Sequence, residues 1–177
     1  MNPIISVVIP ILNSEKSISD LYKELVKVLS SMTNNYEIIF VNDGSTDNSW
    51  SIINDLANKD RSVIAVDLLK NYGQHSAILC GISLAKGDYL ITMDDDGQNP
   101  PSEIRKLYSK ILEGYDVVFA QFIKKQHAFY RKFGTKIVNL LNEKIFEKPK
   151  DIELTNFRIF TKEVAERVVT HKTFYPY

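Results

Sequence analysis

Two kinds of hydrophobic pattern alternate along the first two thirds of the chain. Continuous β-branched runs predict strands buried on both faces, and apolar residues spaced by three and four predict amphipathic helices. The predicted strands are residues 4–9, 36–41, 62–68, 88–93 and 115–119, with Pro10 ending the first. The predicted helices are residues 18–32, 50–57, 74–85 and 102–112, with Gly87 ending the third. This order predicts an α/β fold, with an open, mainly parallel sheet and helices on both faces.

The last third of the chain has a different pattern. Between residues 121 and 150, eight Lys and Arg residues stand against two Glu, and apolar residues from Tyr130 to Ile145 follow helical spacing. One interpretation is an interfacial helix on anionic lipid, at the inner face of a membrane. The other is an ordinary surface helix whose apolar stripe packs on the core.

The composition is that of an ordinary globular protein. The chain has 177 residues, 44% of them hydrophobic, and its 22 Lys and Arg balance 22 Asp and Glu. The length predicts a single domain over residues 1–177, and the balanced charge argues against nucleic acid as a partner. The lone Cys80 excludes an intrachain disulfide framework and a cysteine-cluster zinc site. No apolar run approaches the ~20 residues of a membrane helix, so we expect a cytoplasmic protein.

Polar clusters follow three of the predicted strands, at residues 10–15, 43–47 and 94–98. In open α/β sheets, ligands bind beyond the carboxyl ends of the strands. Loops that follow neighbouring strands therefore converge on one ligand. This shared placement predicts a binding site more strongly than any one cluster does.

The acidic run DDDGQ at residues 94–98 is the sharpest of these clusters. Alternate residues of an extended segment point the same way, so Asp94, Asp96 and Gln98 would present oxygen atoms to one side. Such hard ligands suit Mg²⁺ or Mn²⁺ carrying phosphates. A solvated acidic turn is the alternative. An EF-hand is a poor fit, because Asn99 and Arg105 stand where its glycine and its final glutamate belong.

Two other loops have a structural and a functional interpretation. Asp43 and Gly44 end a buried strand, either as a tight turn or with Asp43 accepting a base N–H or a ribose hydroxyl. The run NYGQ at residues 71–74 precedes a helix whose N-terminus could face a phosphate, or is a plain loop. The chain lacks both G-x-G-x-x-G and G-x-x-x-x-G-K-[ST], so neither a Rossmann dinucleotide site nor a P-loop is predicted.

Five segments in this order resemble one known family. They are ISVVIP at residues 5–10, EIIFVNDGSTD at 37–47, NYGQ at 71–74, GDY at 87–89 and MDDDGQNPP at 93–101. Together they resemble family 2 glycosyltransferases of the GT-A fold. The D-x-D-x-Q-x-P-P run is most similar to the branch that transfers mannose or glucose to dolichyl or polyprenyl phosphate. The similarity extends over roughly residues 4–160 and makes residues 1–100 the nucleotide-sugar half and 101–177 the acceptor half.

The resemblance implies a role for each matching residue. The implied nucleotide-sugar contacts are Pro10, Asn13, Glu15, Asp43, Asn71, Gly73, Asp94 and Asp95. The implied metal ligands for Mg²⁺ or Mn²⁺ are Asp94, Asp96 and Gln98, and the implied catalytic residues are Asp94, Asp96 and Arg158. The chain departs from the family at residues 12–15, where LNSE replaces the usual Tyr-Asn-Glu.

The implied acceptor is a lipid phosphate or a growing glycan. The implied acceptor-phosphate contacts are Lys124, Lys125, Arg131 and Arg158. The family's G-x-R reads AQF at residues 120–122, without an arginine, whereas its S-G-F-R reads TNFR at 155–158 and keeps Arg158. The lysines would then replace a bidentate guanidinium with a point charge.

The predicted activity is metal-dependent sugar transfer from a nucleoside diphosphate sugar, with UDP slightly preferred over GDP and with inversion at the sugar. Two alternatives stay open. A sugar-phosphate nucleotidyltransferase would need a glycine-rich loop after the first strand, where this chain has ILNS at residues 11–14. A binding module without catalysis would bind the nucleotide sugar and release no nucleoside diphosphate from it.

Overall fold

The computed structural model describes residues 5–120 and 155–170. The chain divides into two units, Met1–Phe119 with Asn156–Tyr177, and Ala120–Thr155. The first unit contains every strand and helix described below. Of the second unit, only Ala120 and Thr155 are described, and the Thr155 hydroxyl donates a hydrogen bond of 2.8 Å to the Ala120 carbonyl.

The first unit alternates strands and helices as the sequence predicts. The strands are β1 (Ile5–Ile11), β2 (Tyr36–Asn42), β3 (Val63–Asp67), β4 (Tyr89–Thr92), β5 (Val117–Phe119) and β6 (Arg158–Thr161). The helices are α1 (Ile18–Ser30), α2 (Ser49–Lys59), α3 (Gln74–Leu84), α4 (Ile104–Ile111) and α5 (Lys162–Thr170), with a 3₁₀ turn at Pro101–Glu103 before α4. Sequence patterns predicted all of these except β6 and α5.

The six strands form one sheet in the order β3-β2-β1-β4-β6-β5. Strands β1 to β4 pair in parallel, and β6 runs antiparallel to both β4 and β5. The mainly parallel α/β architecture is therefore confirmed. Strands β1 to β4 end at one edge of the sheet, called the carboxyl edge below.

The centre of the sheet is closed to water. All seven residues of β1 are buried, as the continuous apolar run predicts for a strand covered on both faces. Helix α3 lies close against this strand at Gly81, where an added Cβ would collide with the Val8 side chain. A glycine at this position lets the helix backbone approach the sheet.

The prediction that Pro10 ends the first strand is wrong. Strand β1 continues through Pro10 to Ile11, and Pro10 pairs with Val41 of β2. Because Met93 donates its N–H to the Val8 carbonyl, the backbone groups of Val8, and of Pro10 two residues on, face the β4 side. Pairing with β4 ends at Thr92, so no partner there needs the N–H that proline lacks.

Gly87 also has a different role from the predicted one. Helix α3 ends at Leu84, before Gly87 is reached. A Cβ on Gly87 would lie 2.6 Å from Ser6 Oγ, which accepts the Gly87 N–H at 2.8 Å. Ser6 in turn donates to Glu37 Oε1 at 2.6 Å, so this glycine closes a buried polar network at the amino ends of the strands. Close approach, not helix termination, explains Gly87.

No helix within residues 5–120 and 155–170 is long and apolar enough to cross a bilayer.

Candidate functional site

The loops after β1, β2 and β4 meet around a cavity at the carboxyl edge. The cavity has a volume of about 230 Å³ and is lined by Pro10, Ile11, Leu12, Asp43, Gln74 and Asp95. The backbone joins two of these loops directly, because Asp43 donates its N–H to the Ile11 carbonyl at 2.9 Å. Three side chains form an apolar wall and two carboxylates supply negative charge. The cavity thus brings together Pro10, Asp43 and Asp95 of the predicted nucleotide contacts.

Asp43 holds the loop that precedes α3. Its side chain is buried, and Asp43 Oδ1 accepts the Tyr72 N–H at 2.7 Å. Gly44 makes this contact possible, because it has a φ of +72° and a Cβ there would lie 2.5 Å from the Asn71 nitrogen. Asp43 is therefore a carboxylate that lines the cavity and is oriented by a backbone N–H.

Asp95 lines the same cavity and has one carboxylate oxygen without a partner. Asp95 Oδ2 is buried and has no hydrogen-bond partner. Burial raises the pKa of this carboxyl, the neighbouring charges of Asp96 and Asp94 raise it further, and a hydrogen bond from Ser14 opposes them. A buried oxygen without a donor is costly, and a ligand N–H or O–H would satisfy it.

Asp94 is fixed by amide groups from two distant parts of the chain. Asp94 Oδ1 accepts from Gln74 Nε2 at 2.5 Å and from Asn156 Nδ2 at 3.1 Å. Burial raises the pKa of Asp94 and the charge of Asp96 adds to the rise, while the side-chain amides of Asn156, Asn99 and Gln74 oppose it. This half-buried carboxylate is therefore held in one place without a cationic partner among the described residues.

Asp96 and Gln98 are exposed beyond Asp94 and form a tight turn. Asp96 Oδ1 accepts the Gln98 N–H at 2.9 Å. No group of three or more His, Cys, Asp or Glu side chains that could hold a metal ion occurs among the described residues. The predicted metal ligands, Asp94, Asp96 and Gln98, supply only two carboxylates and one amide, so they are not such a group. Their hard oxygen donors suit Mg²⁺ or Mn²⁺, and a cation would relieve the repulsion that helps to raise the pKa of Asp94.

Asn13 and Glu15 lie in the loop after β1, but their side chains bind protein. Asn13 Oδ1 accepts the Thr46 N–H at 2.8 Å, and Glu15 Oε2 accepts the Asn48 N–H at 3.1 Å. Asn13 has a φ of 54°, a conformation that asparagine tolerates better than most residues. These bonds tie the loop after β1 to the loop after β2. Neither residue lines the cavity, and a contact with a nucleotide sugar stays a prediction for both.

Asn71 and Gly73 belong to the loop that Asp43 holds. Asn71 Oδ1 accepts the Gly73 N–H at 3.0 Å, and Gly73 caps α3 with a φ of 90°. Sequence motifs predicted ligand contacts for these two residues but not for Gln74 and Asn156, which contact Asp94. The run NYGQ contained a signal for Gln74, since a polar residue at the first turn of α3 faces the carboxyl edge. Asn156 had no such signal.

Arg158 begins β6, opposite the last residue of β4. Its Cα pairs with Thr92 on one side and with Phe119 on the other, and its guanidinium carbon lies 5.9 Å from the centre of the Phe119 ring. Arg158 Nε is buried without a hydrogen-bond partner, and burial lowers the pKa of the side chain. Lys124, Lys125 and Arg131, the other predicted acceptor contacts, lie outside the described residues, as does the predicted amphipathic segment.

Comparison with protein families and curated proteins identifies relatives of this chain. The model of glycosyl transferase family 2 matches residues 6–171. Undecaprenyl-phosphate 4-deoxy-4-formamido-L-arabinose transferase of Proteus mirabilis is 44% identical over 77% of this chain and 42% of its own length. The enzyme of that name from Yersinia enterocolitica is 37% identical over 97% of this chain and 54% of its own length. The chain thus spans about half the length of the curated relatives that it matches.

Solved structures share the fold at low sequence identity. Glucosyl-3-phosphoglycerate synthase from Mycobacterium tuberculosis, in complex with Mn²⁺, UDP and phosphoglyceric acid, has a TM-score of 0.67 and 19% identity over 92% of this chain and 57% of that chain. TarS 1-349 of S. aureus in complex with UDP-GlcNAc has a TM-score of 0.62 and 19% identity, and the match covers 95% of this chain and 47% of that chain. These likenesses confirm the GT-A fold. The curated relatives described above are named for undecaprenyl phosphate. This chain belongs to glycosyl transferase family 2.

Proposed function

We propose that this chain carries the catalytic site of an enzyme that transfers a sugar from UDP to a polyprenyl phosphate. The observation that carries the proposal is the cavity at the carboxyl edge, which is lined by the buried Asp43 and by Asp95, whose Oδ2 has no hydrogen-bond partner. The edge of a nucleobase offers the N–H donor that such an oxygen needs. The polyprenyl phosphate acceptor is inferred from the names of the curated relatives, which specify undecaprenyl phosphate.

Two carboxylates favour a base with an N–H on its pairing edge. Asp43 and Asp95 offer carboxylate oxygens as hydrogen-bond acceptors, so they suit uracil N3–H and disfavour the unprotonated N3 of cytosine. Guanine also has an N–H at that edge and is the competing candidate. The apolar wall of Pro10, Ile11 and Leu12 would pack on the face of the base. UDP is preferred here because the solved neighbours named above were determined with UDP or UDP-GlcNAc.

Asp94, Asp96 and Gln98 would hold Mg²⁺ or Mn²⁺ beside the diphosphate. When bound there, a divalent cation supplies positive charge to the departing nucleoside diphosphate. The chain's own contribution is positional, since Asp94 is fixed by two amides and Asp96 by the turn at Gln98. This preorganisation lowers the reorganisation that the site needs during transfer.

Arg158 would position the acceptor phosphate. A phosphate monoester is already an anion near neutral pH, so it needs orientation more than deprotonation before its oxygen attacks the sugar. The unpartnered Nε of Arg158 leaves the guanidinium with an unused donor at the carboxyl edge. Arginine binds phosphate with two parallel hydrogen bonds, which fixes direction as well as distance.

Nucleotide binding is the first test. With Mn²⁺ present, we expect UDP to raise the melting temperature more than GDP or CDP does. At a hundredfold excess over Kd, the stabilisation should be about 2.7 kcal/mol. Thermal unfolding with each nucleotide, with and without EDTA, measures the effect. The proposal fails if no nucleotide stabilises the protein, or if CDP does so as well as UDP.

The Asp43→Asn variant is the matched probe of base recognition. Its side-chain oxygen can still accept the Tyr72 N–H, and its amide presents a donor where the carboxylate had an acceptor. We therefore expect its preference to move from UDP towards CDP. If the folded variant loses affinity for all three nucleotides equally, Asp43 does not recognise the base.

Acceptor use is tested by turnover with a short polyprenyl phosphate. We expect Arg158→Lys to raise the acceptor KM about tenfold or more, because lysine loses bidentate geometry. Its UDP affinity should change less than about twofold, since Arg158 is assigned to the acceptor alone. Initial rates at varied acceptor, together with calorimetric titration of UDP, measure the two effects separately.

Arg105→Lys is the control for that substitution. Arg105 is an exposed arginine on α4 that donates to Ser31 Oγ, and it contacts nothing at the site. Its kinetics should match those of the unmodified protein. Equal losses of UDP affinity and acceptor use in Arg158→Lys would refute the assignment. UDP binding without any UDP release from a nucleotide sugar would identify a binding module instead of an enzyme.

A further inference from the structure

Asp94 Oδ1 receives two hydrogen bonds from side chains that the family resemblance did not assign. Gln74 is the first residue of α3, and Asn156 stands two residues before β6. Both donate an amide N–H to the same oxygen, Oδ1, at 2.5 Å and 3.1 Å. An oxygen of a carboxylate has room for about two such donors. A sugar hydroxyl or a cation that joins Asp94 is therefore expected at Oδ2.

Asn156 is held from both of its ends. Its carbonyl accepts a hydrogen bond of 2.6 Å from Thr92 Oγ1, and Thr92 is the buried last residue of β4. Asp94 follows Thr92 by two residues. The amide of Asn156 thus bridges the end of β4 and the carboxylate just beyond it. This arrangement fixes the Asn156 side chain relative to the sheet.

Gln74 is held by the start of its helix. Gly73, which precedes it, accepts the N–H groups of Ser76 and Ala77 at 3.0 Å and 3.2 Å, and this fixes the first turn of α3. Because Tyr72 is bonded to Asp43, the beginning of α3 is also tied to the loop after β2. Gln74 therefore links the loop held by Asp43, which lines the cavity, to Asp94, a predicted ligand of the cation.

We propose that Gln74 and Asn156 are positioning residues that hold the Asp94 carboxylate through Oδ1 and leave Oδ2 as its ligand oxygen. This inference rests on the proposed function, because it assigns Oδ2 to the nucleotide sugar or its cation. Removing either amide frees the carboxylate to rotate. A carboxylate that rotates should bind the cation and the nucleotide more weakly. Both affinities can be measured without turnover.

The test compares Gln74→Ala and Asn156→Ala with the unmodified protein. Free Mn²⁺ is measured by electron paramagnetic resonance during titration with UDP present, and UDP affinity by calorimetry at fixed Mn²⁺. We expect each variant to weaken Mn²⁺ binding about tenfold or more, as residues that orient metal ligands do. Calorimetry without Mn²⁺ should show a smaller loss of UDP affinity. Asn54→Ala, at an exposed position of α2, should leave both unchanged.

The possible outcomes separate this inference from the proposed function. Mn²⁺ affinity unchanged in both variants overturns the positioning role while the function stands. An unmodified protein that binds neither UDP nor Mn²⁺ overturns the function itself. Gln74 is exposed, so Gln74→Ala should fold even if Asn156→Ala does not, and it then carries the test alone. A lower melting temperature with unchanged Mn²⁺ affinity would make the two amides merely structural.

Discussion

We expect Asp94→Asn to reduce kcat/KM for sugar transfer by about a thousandfold, the size of loss seen when a charge-stabilising group is removed. The substitution keeps an oxygen that can accept from Gln74 and Asn156, so the geometry survives. It removes the negative charge that a cation or a ribose hydroxyl would use. Steady-state rates at saturating Mn²⁺ measure the effect.

The stability of this variant gives a second, independent readout. Burial raises the pKa of Asp94, so ionisation of this carboxyl at neutral pH costs more free energy in the folded state than in the unfolded state. The neutral amide removes that cost, and the melting temperature without ligand should be unchanged or higher. A strong loss of stability would instead favour the acidic turn as a structural element.

Asp60→Asn is the matched control for Asp94→Asn. Asp60 also accepts several hydrogen bonds, from the Ser62 N–H and hydroxyl and from the Tyr22 hydroxyl, but it precedes β3 at the opposite edge of the sheet. Burial would raise the pKa of Asp60, yet these hydrogen bonds outweigh it and the pKa is lowered. We expect this control to lose stability and keep its activity, the reverse of Asp94→Asn.

Gly44→Ala should cost about 2–5 kcal/mol of unfolding free energy, because backbone strain and steric overlap add at this position. The residue has a φ of +72°, and the new Cβ would lie 2.5 Å from the Asn71 nitrogen and 2.8 Å from the Lys70 carbonyl carbon. Backbone atoms cannot move aside as the end of a flexible side chain can. Equilibrium unfolding in urea measures the loss.

Gly97→Ala separates the two contributions. Gly97 has a φ of +74°, nearly that of Gly44, but a Cβ there meets nothing within 4 Å. Its cost should be limited to conformational strain, about 1 kcal/mol. Equal losses of unfolding free energy in the two variants would mean that the backbone at residues 70–71 yields to the new Cβ at little cost. If it does not yield, Gly44→Ala should also disturb the bond from Tyr72 to Asp43 and weaken UDP binding.

The order of strands and helices along the chain, and the edge of the sheet where the polar loops meet, were largely predictable because they depend on local patterns. Strands β1 and β2 are unbroken apolar runs, which identify central parallel strands, and parallel strands put their following loops at one edge. Polar residues after such runs, such as Asp43 and Asp94, were found in this way. Pro10 was misassigned because its effect depends on where the neighbouring strand β4 stops, which the local sequence does not contain.

The contacts that finish the site were not predictable from local patterns. Asn156 reaches Asp94 across 62 positions of sequence and only because β6 inserts antiparallel beside β4. Residues 158–161 form a short strand, whose four residues give no clear alternation. Asn13 and Glu15 show the converse, since their polar side chains at a strand end bind the neighbouring loop. Residue type and position predicted polar contacts for these side chains. Only the fold shows that the partners are backbone groups of the neighbouring loop.

The pairing of β5 with β6 has a consequence for how this fold can be varied. Phe119 and Arg158 are Cα partners in adjacent strands, so the chain leaves the sheet after β5 and returns one strand away. Whatever occupies residues 120–155 enters and exits at neighbouring points. Exchange of that stretch between homologous proteins would need only two matched junctions. Such an exchange would leave the six-stranded sheet and the cavity at its carboxyl edge intact.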